Sequence, residues 1–238
     1  MQDFRAIIRA GCAAWGLPVT EEALARMERF SDLLIEKNRL MNLTAVTEPP
    51  EIARRHMLDC LFLLTCADFS GLRALDVGSG AGFPTVPLLC YDPAFDITPL
   101  DSTQKRMDFI RESGAALGLR VAPIAGRAEE LAVPPLRGSF GIVTSRAVAP
   151  LNVLAELCLP FVSVGGVFLP MKTGGPEGAQ ELAGAAGALA ALGARVEDKR
   201  EYQIEGMDRP HQVLVIRKTA PTPEKYPRRY AKIAARPL

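Results

Sequence analysis

The chain has no long apolar run: the longest, such as Leu61 to Leu64 and Val86 to Leu89, fall far short of the roughly 18 residues that cross a bilayer. A membrane-spanning helix is thereby excluded. Near the amino terminus Asp3, Arg5 and Arg9 interrupt the apolar residues, so the basic region and unbroken apolar core of a secretory leader are missing. A cytoplasmic protein without membrane contact is expected. Its cysteines, Cys12, Cys60, Cys66, Cys90 and Cys158, form no C-x-x-C pair and have no histidine cluster nearby. Structural zinc and dithiol redox chemistry are therefore not expected, and the five read as reduced core thiols with no metal. Charge of one sign is also lacking, with 28 Lys and Arg against 27 Asp and Glu. Any nucleic-acid-binding face must come from local clustering. No internal repeat of solenoid length is present.

What is there is a globular composition: 48% of the 238 residues are hydrophobic and 23% charged, enough to bury a large core. Over residues 1–70, Glu21, Glu22, Leu24, Met27, Phe30, Leu33 and Leu34 recur at amphipathic helical spacing after the cap candidate Thr20. A second helix is expected from Glu51, after Pro49-Pro50, to Leu64. From Leu72 the pattern changes to short apolar strands between helices, the signature of a parallel α/β sheet. Expected strands are Ala74 to Val77, Asp96 to Leu100, Val121 to Ala125, Gly141 to Thr144 and Val167 to Met171. An Ala-rich helix from Glu177 to Leu192 precedes strands at Ala194 to Tyr202 and Gln212 to Arg217, read as a terminal antiparallel hairpin. The tail carries Lys225, Arg228, Arg229, Lys232 and Arg236 among Pro221, Pro223, Pro227 and Pro237. The expected organisation is a helical extension (1–70), an α/β domain (71–218) and a basic, proline-stiffened arm (219–238).

The most informative stretch is Leu75-Asp76-Val77-Gly78-Ser79-Gly80-Ala81-Gly82-Phe83-Pro84, a strand running into a glycine-rich turn and a helix whose first turn suits Pro84. A dinucleotide loop reads G-x-G-x-x-G, but here the third glycine, Gly82, comes one residue early and Phe83 follows. A phosphate loop needs Lys before Ser or Thr, which is missing. The G-x-G-x-G spacing of Gly78, Gly80 and Gly82 instead suits S-adenosyl-L-methionine, a cofactor without phosphates. Asp101 ends the second strand, where an acidic side chain accepts from ribose hydroxyls; capping of a helix from Ser102 to Ser113 is the competing role. Gly126-Arg127-Ala128-Glu129-Glu130 follows the third strand, at the edge where an adenine ring would lie, and reads equally well as a solvated turn.

These motifs occur in order with Met41-Asn42-Leu43-Thr44-Ala45-Val46-Thr47, His56-Met57-Leu58-Asp59, Lys105-Arg106 and Thr144-Ser145-Arg146-Ala147-Val148-Ala149. The set resembles the 16S ribosomal RNA guanine-N7 methyltransferase family, also called the glucose-inhibited division protein B family, over nearly the whole chain. The resemblance implies a Rossmann-like class I methyltransferase fold, with a mostly parallel sheet, a terminal antiparallel hairpin and an N-terminal helical extension. It implies methylation of a guanine N7, with 16S rRNA or the small ribosomal subunit as partner, and we expect a monomer. Cofactor contacts carry over to Gly78, Phe83, Ala128, Glu129 and Arg146; Gly80, Gly82 and Asp101 join them from the physical argument. Three positions depart from the family pattern. Thr85 stands where Gly is usual, Pro99 interrupts the second strand before Asp101, and Lys172-Thr173-Gly174 replaces an adjacent Lys-Gly.

Guanine N7 presents a free lone pair, so no obligatory catalytic acid or base is expected and alignment and electrostatics carry the reaction. The fork of Arg146 suits the cofactor carboxylate or guanine O6, and pairing with Glu156 or another acid is its structural alternative. His56 and Asp59 lie one helical turn apart and either bond each other or meet substrate. Lys172, Arg228 and Arg229 are the candidates for RNA phosphates. Two other classes remain open on the residues alone, a nicotinamide-dependent oxidoreductase and a non-catalytic RNA-binding assembly factor.

Overall fold

The computed structural model describes residues 3–238. Its sheet has seven strands in the order β3-β2-β1-β4-β5-β7-β6: β1 Arg73–Val77, β2 Asp96–Asp101, β3 Ile124–Ala125, β4 Phe140–Arg146, β5 Val162–Thr173, β6 Ala194–Tyr202 and β7 His211–Lys218. Strands β1 to β5 pair in parallel, and β7 runs antiparallel between β5 and β6. Strand order reverses between β1 and β4, and open α/β sheets hold ligands beyond the strand ends at such a point.

Burial on both faces explains the near-continuous apolar strands. Ala74, Ile142, Val167, Leu169, Val213 and Val215 enter one core, and Leu75, Val143, Phe168, Leu214 and Ile216 enter the other, alternating along each strand. The first core is closed by α1 (Phe4–Ala14), α2 (Glu21–Asn38), α3 (Pro49–Ile52), α4 (Asp59–Leu61), α5 (Thr85–Tyr91) and α6 (Gln104–Ala116). The second lies under α7 (Ala128–Leu131), α8 (Leu151–Cys158), α9 (Gly175–Gly184), α10 (Ala186–Ala191) and α11 (Tyr230–Ala235). The N-terminal helices thus form one layer of the sheet's own core. Thr20 caps α2, its hydroxyl oxygen accepting from the Ala23 N–H at 3.1 Å. No helix among the described residues is long and apolar enough to cross a membrane.

Several elements differ from expectation. The helix over Glu51 to Leu64 is assembled from α3, a π-helical turn at Ala53–Leu58, α4 and a 3-10 turn at Phe62–Thr65. Strand β3 has two residues because Pro123 has no N–H for the ladder, and pairing starts beyond it at Leu100 and Ile124. The helix over Glu177 to Leu192 breaks at Ala185, where Gly184 and Gly187 weaken both flanks. Pro84 is the N-cap of α5 and not a residue of its first turn. Pro99 sits within β2 opposite Asp76, and the strand continues to Asp101 without displacement.

The tail is docked. Arg137 donates to the carbonyls of Thr222 and Tyr226, both at 2.8 Å, and Ile233 is fully buried. Arg228 grips Glu156, which has no exposed surface, through Nε at 2.9 Å, Nη2 at 2.6 Å and the backbone N–H at 2.7 Å. The fork of Arg228, expected to meet RNA, neutralises a buried carboxylate. Lys172 is likewise taken, pairing with Glu181 at 2.6 Å and donating to the Ala149 carbonyl at 2.9 Å. It ties β5 to the loop after β4. Arg229 remains exposed.

Removing one member of a buried pair leaves an uncompensated charge, at a cost of about 3 to 5 kcal/mol. Arg228→Ala should lose about that much stability in urea unfolding, whereas exposed Arg229→Ala should stay within about 0.5 kcal/mol of wild type. Equal midpoints for the two variants would rule out the anchoring role.

Candidate active site

The glycine loop is built on a buried carboxylate. Asp76, at the end of β1, has no exposed surface and takes hydroxyl donors from Ser79 and Thr85 at 2.7 Å each and from Thr144 at 3.3 Å. Burial pushes its pKa up to about 6 against the pull of these three hydroxyls. Thr85, the departure from the family pattern, therefore locks the helix after the loop to the strand before it. Gly78 and Gly82 have φ of 78° and 98°, a region that L side chains rarely adopt. A Cβ on Gly82 would also lie 2.7 Å from Val86 Cγ2.

Beyond the strand ends lies a cleft of about 390 Å³, lined among others by Gly78, Asp101, Gly126, Ala128 and Glu129. Asp101 is 6% exposed. Its Oδ2 accepts from the Gly80 N–H at 3.1 Å and its Oδ1 from the Thr103 N–H at 2.9 Å. The competing role is thus partly present, since the carboxylate also braces the turn into α6, whose N-cap is Thr103. A carboxylate has about four lone-pair sites, so both oxygens can still accept from a ligand. Glu129 pairs with Arg127 at 2.6 Å.

The cleft continues past Gly78 and Ala147 into a pocket of about 190 Å³ that Thr44, His56, Gly80, Phe83 and Arg146 also line. Phe83 is its apolar platform: the His56 ring lies 4.5 Å from its centroid and the Arg146 guanidinium 4.9 Å. Arg146 Nη1 donates to Asp59 Oδ2 at 3.0 Å and to the Arg55 carbonyl at 3.1 Å, and Nη2 approaches His56 Nδ1 at 3.4 Å. Asp59 Oδ1 accepts from the Tyr202 hydroxyl at 2.6 Å and faces His211 Nδ1 at 2.9 Å. Burial would raise the Asp59 pKa, but His211, Arg146 and Tyr202 hold it below the ordinary carboxylate range. His56 is pushed down to about 4, first by burial and then by Arg146.

The structure gathers Gly78, Gly80, Phe83, Asp101, Ala128, Glu129, Arg146 and His56 around this two-lobed cleft, whereas Gly82 packs behind the loop against Val86. Arg146 takes the acid-paired arrangement, with Asp59 and not Glu156. His56 and Asp59 meet through Arg146 rather than through each other. Asp76, Thr44, Tyr202 and His211 were not singled out by sequence reasoning. For His211 a signal existed, since the chain has two histidines and both converge on Arg146 and its partner. Cys12 and Cys90 are buried thiols pushed up to about 12.

Sheet order and a cleft at the switch point together define a Rossmann-like class I methyltransferase fold. Solved structures share it: a putative methyltransferase from Bacillus halodurans C-125 aligns with a TM-score of 0.54 at 15% identity, over 68% of this chain and 99% of that one. The M. jannaschii TYW2 in complex with AdoMet aligns at 0.50 and 15% identity, over 64% and 71%. A family model described as rRNA small subunit methyltransferase G matches residues 23–205. Proteins named ribosomal RNA small subunit methyltransferase G are 38% identical in Alkaliphilus metalliredigens, over 99% of both chains. The one in Pelotomaculum thermopropionicum is 40% identical over 97% of both. The chain belongs to the rRNA small subunit methyltransferase G family.

The depressed His56 makes stability pH-dependent. The unfolded ring titrates near 6.5 and the folded one near 4, so as pH falls through that window the unfolded chain takes up a proton that the folded chain refuses, and stability drops. Asp76, raised from 3.8 to about 6, acts oppositely, its contribution being lost as pH rises through about 6. His56→Gln should therefore lose less stability than wild type between those two histidine values in denaturant titrations. Parallel curves would assign the effect elsewhere.

Proposed function

We propose that this protein is an S-adenosylmethionine-dependent enzyme that methylates N7 of a guanine in 16S rRNA, acting as a monomer in the cytoplasm. The observation that carries the reading is the two-lobed cleft at the switch point, with a nearly buried carboxylate, Asp101, at one end and Arg146 on Phe83 at the other. This shape fits a ligand with a nucleoside at one end and an amino acid at the other. Asp101 would accept from the ribose hydroxyls, Ala128 and Glu129 would border the adenine, and Gly78 and Gly80 would let backbone approach the amino-acid part. The bound cofactor supplies an electrophilic sulfonium methyl group.

The chain's own residues hold and orient. Arg146 keeps its charge because Asp59 neutralises it on the inner side, while Nη2 has only the long approach to His56. That outer edge can donate to a carboxylate or to guanine O6. His56, held neutral, adds no charge against a base that becomes cationic on methylation, and Phe83 packs against both the His56 ring and the Arg146 guanidinium. N7 carries no proton to remove, so no residue need act as a general base. Residues 71–218 would form the cofactor-binding unit, with 1–70 building one wall of the substrate pocket and 219–238 presenting exposed cations. Those cations are Lys225, Arg229, Lys232 and Arg236, and phosphate contact falls to them.

Transfer of labelled methyl from S-adenosylmethionine to 16S rRNA tests the reading. The product should be 7-methylguanine, whose fixed charge labilises the glycosidic bond, so borohydride followed by aniline should cut the strand at the modified nucleotide. Label incorporation into a strand that resists cleavage would remove the N7 assignment and leave the methyltransferase. Neutralising Arg229 and Lys232 together should weaken RNA binding and reduce the salt slope by about 1 per lost phosphate contact. An unchanged slope would make the tail a solvated surface.

A further inference from the structure

We infer that the C-terminal segment completes the cofactor cleft, with Tyr230 as the aromatic wall of its adenine end. The inference rests on the S-adenosylmethionine reading of that cleft and adds a residue that family motifs and glycine-loop logic do not reach. Tyr230 lies 129 positions after Asp101 in the sequence, yet both line the same cavity, together with Leu100, Gly126 and Ala128. No motif spacing connects them. Only docking of the tail brings them together.

The ring is held by one contact and its backbone by two anchors. The Arg127 guanidinium lies 5.0 Å over its centroid, and Arg127 is itself paired with Glu129 at 2.6 Å, so the two residues at the start of α7 fix one end of the wall. The backbone on either side of Tyr230 is anchored by the Arg228 grip on Glu156 and by buried Ile233. The side chain is nonetheless 41% exposed. An aromatic ring that is immobilised but open on the cavity side is what a flat heteroaromatic base needs. Stacking of a base on such a ring strengthens binding by about tenfold or more. Arg127 and Tyr230 together would screen the adenine from water, and the tail would be part of the cofactor site as well as a carrier of cations.

The test is calorimetric binding of S-adenosylmethionine to the full-length protein and to Tyr230→Ala and Tyr230→Phe, with steady-state kinetics alongside. Tyr230→Ala should weaken binding about tenfold and raise KM for the cofactor with kcat nearly unchanged, the mark of lost uniform binding. Tyr230→Phe keeps the face and should bind within about twofold of wild type on the same argument. Tyr230→Phe should also keep the ligand-free unfolding midpoint, since the ring and its contact with Arg127 remain. Wild-type affinity in Tyr230→Ala would overturn the inference while leaving the cofactor reading intact. Equal loss of affinity in both variants would also overturn it, by assigning Tyr230 a hydroxyl role. Failure of the wild-type protein to bind S-adenosylmethionine would instead bring down the cofactor reading itself, and the wall with it.

Discussion

Everything at the Arg146 end of the cleft depends on one buried carboxylate. Asp59 comes from α4, Arg146 from the end of β4, Tyr202 from the end of β6 and His211 from the start of β7, and all four meet within hydrogen-bonding distance. A buried ion pair contributes little net stability, because desolvation offsets most of its attraction, but it strongly penalises arrangements in which one partner is lost. Its effect is geometric. Through Asp59 the N-terminal layer, β4 and the antiparallel hairpin are tied together, and the Arg146 fork is held over Phe83.

The same logic recurs around Asp76 with hydroxyls in place of cations. Three neutral donors satisfy it without adding charge beneath the glycine loop, and burial outweighs their pull and raises its pKa to about 6. The two carboxylates are thus shifted in opposite directions, Asp59 lowered by His211 and Arg146 and Asp76 raised by burial. The lowered one holds a cation in place at the mouth of the cleft. The other braces the loop where close backbone approach matters. Aromatic packing joins the two regions: Phe30 of α2 lies 5.6 Å from Phe83 and 6.2 Å from Phe109, so the platform of the substrate pocket rests on the N-terminal layer.

The cations of the tail divide in the same manner between structure and surface. Arg228 and Arg137 hold the segment down through Glu156 and backbone carbonyls, while Arg229 and Lys232 stay exposed. A run that reads as a uniform basic arm thus holds both internally paired and exposed cations, and burial is what separates them. Lys172 shows the same effect within the sheet, where Glu181 turns a candidate phosphate ligand into a brace for the loop after β4.

The sequence by itself determined the α/β class, the strand pattern, the glycine loop and the place of Asp101, because these follow from local periodicity and from backbone demands that a few adjacent residues meet. It also carried the family resemblance, in motifs short enough to read in order. Tertiary structure alone decided partners. That Arg146 faces Asp59 and not Glu156, that His211 and Tyr202 stand behind that carboxylate, that Arg228 and Lys172 are internally neutralised and that Tyr230 reaches the cleft are all outcomes of packing between segments far apart in the chain. A charged side chain has no preferred partner until folding removes water from around it, and which opposite charge is then nearest depends on how helices and strands stack.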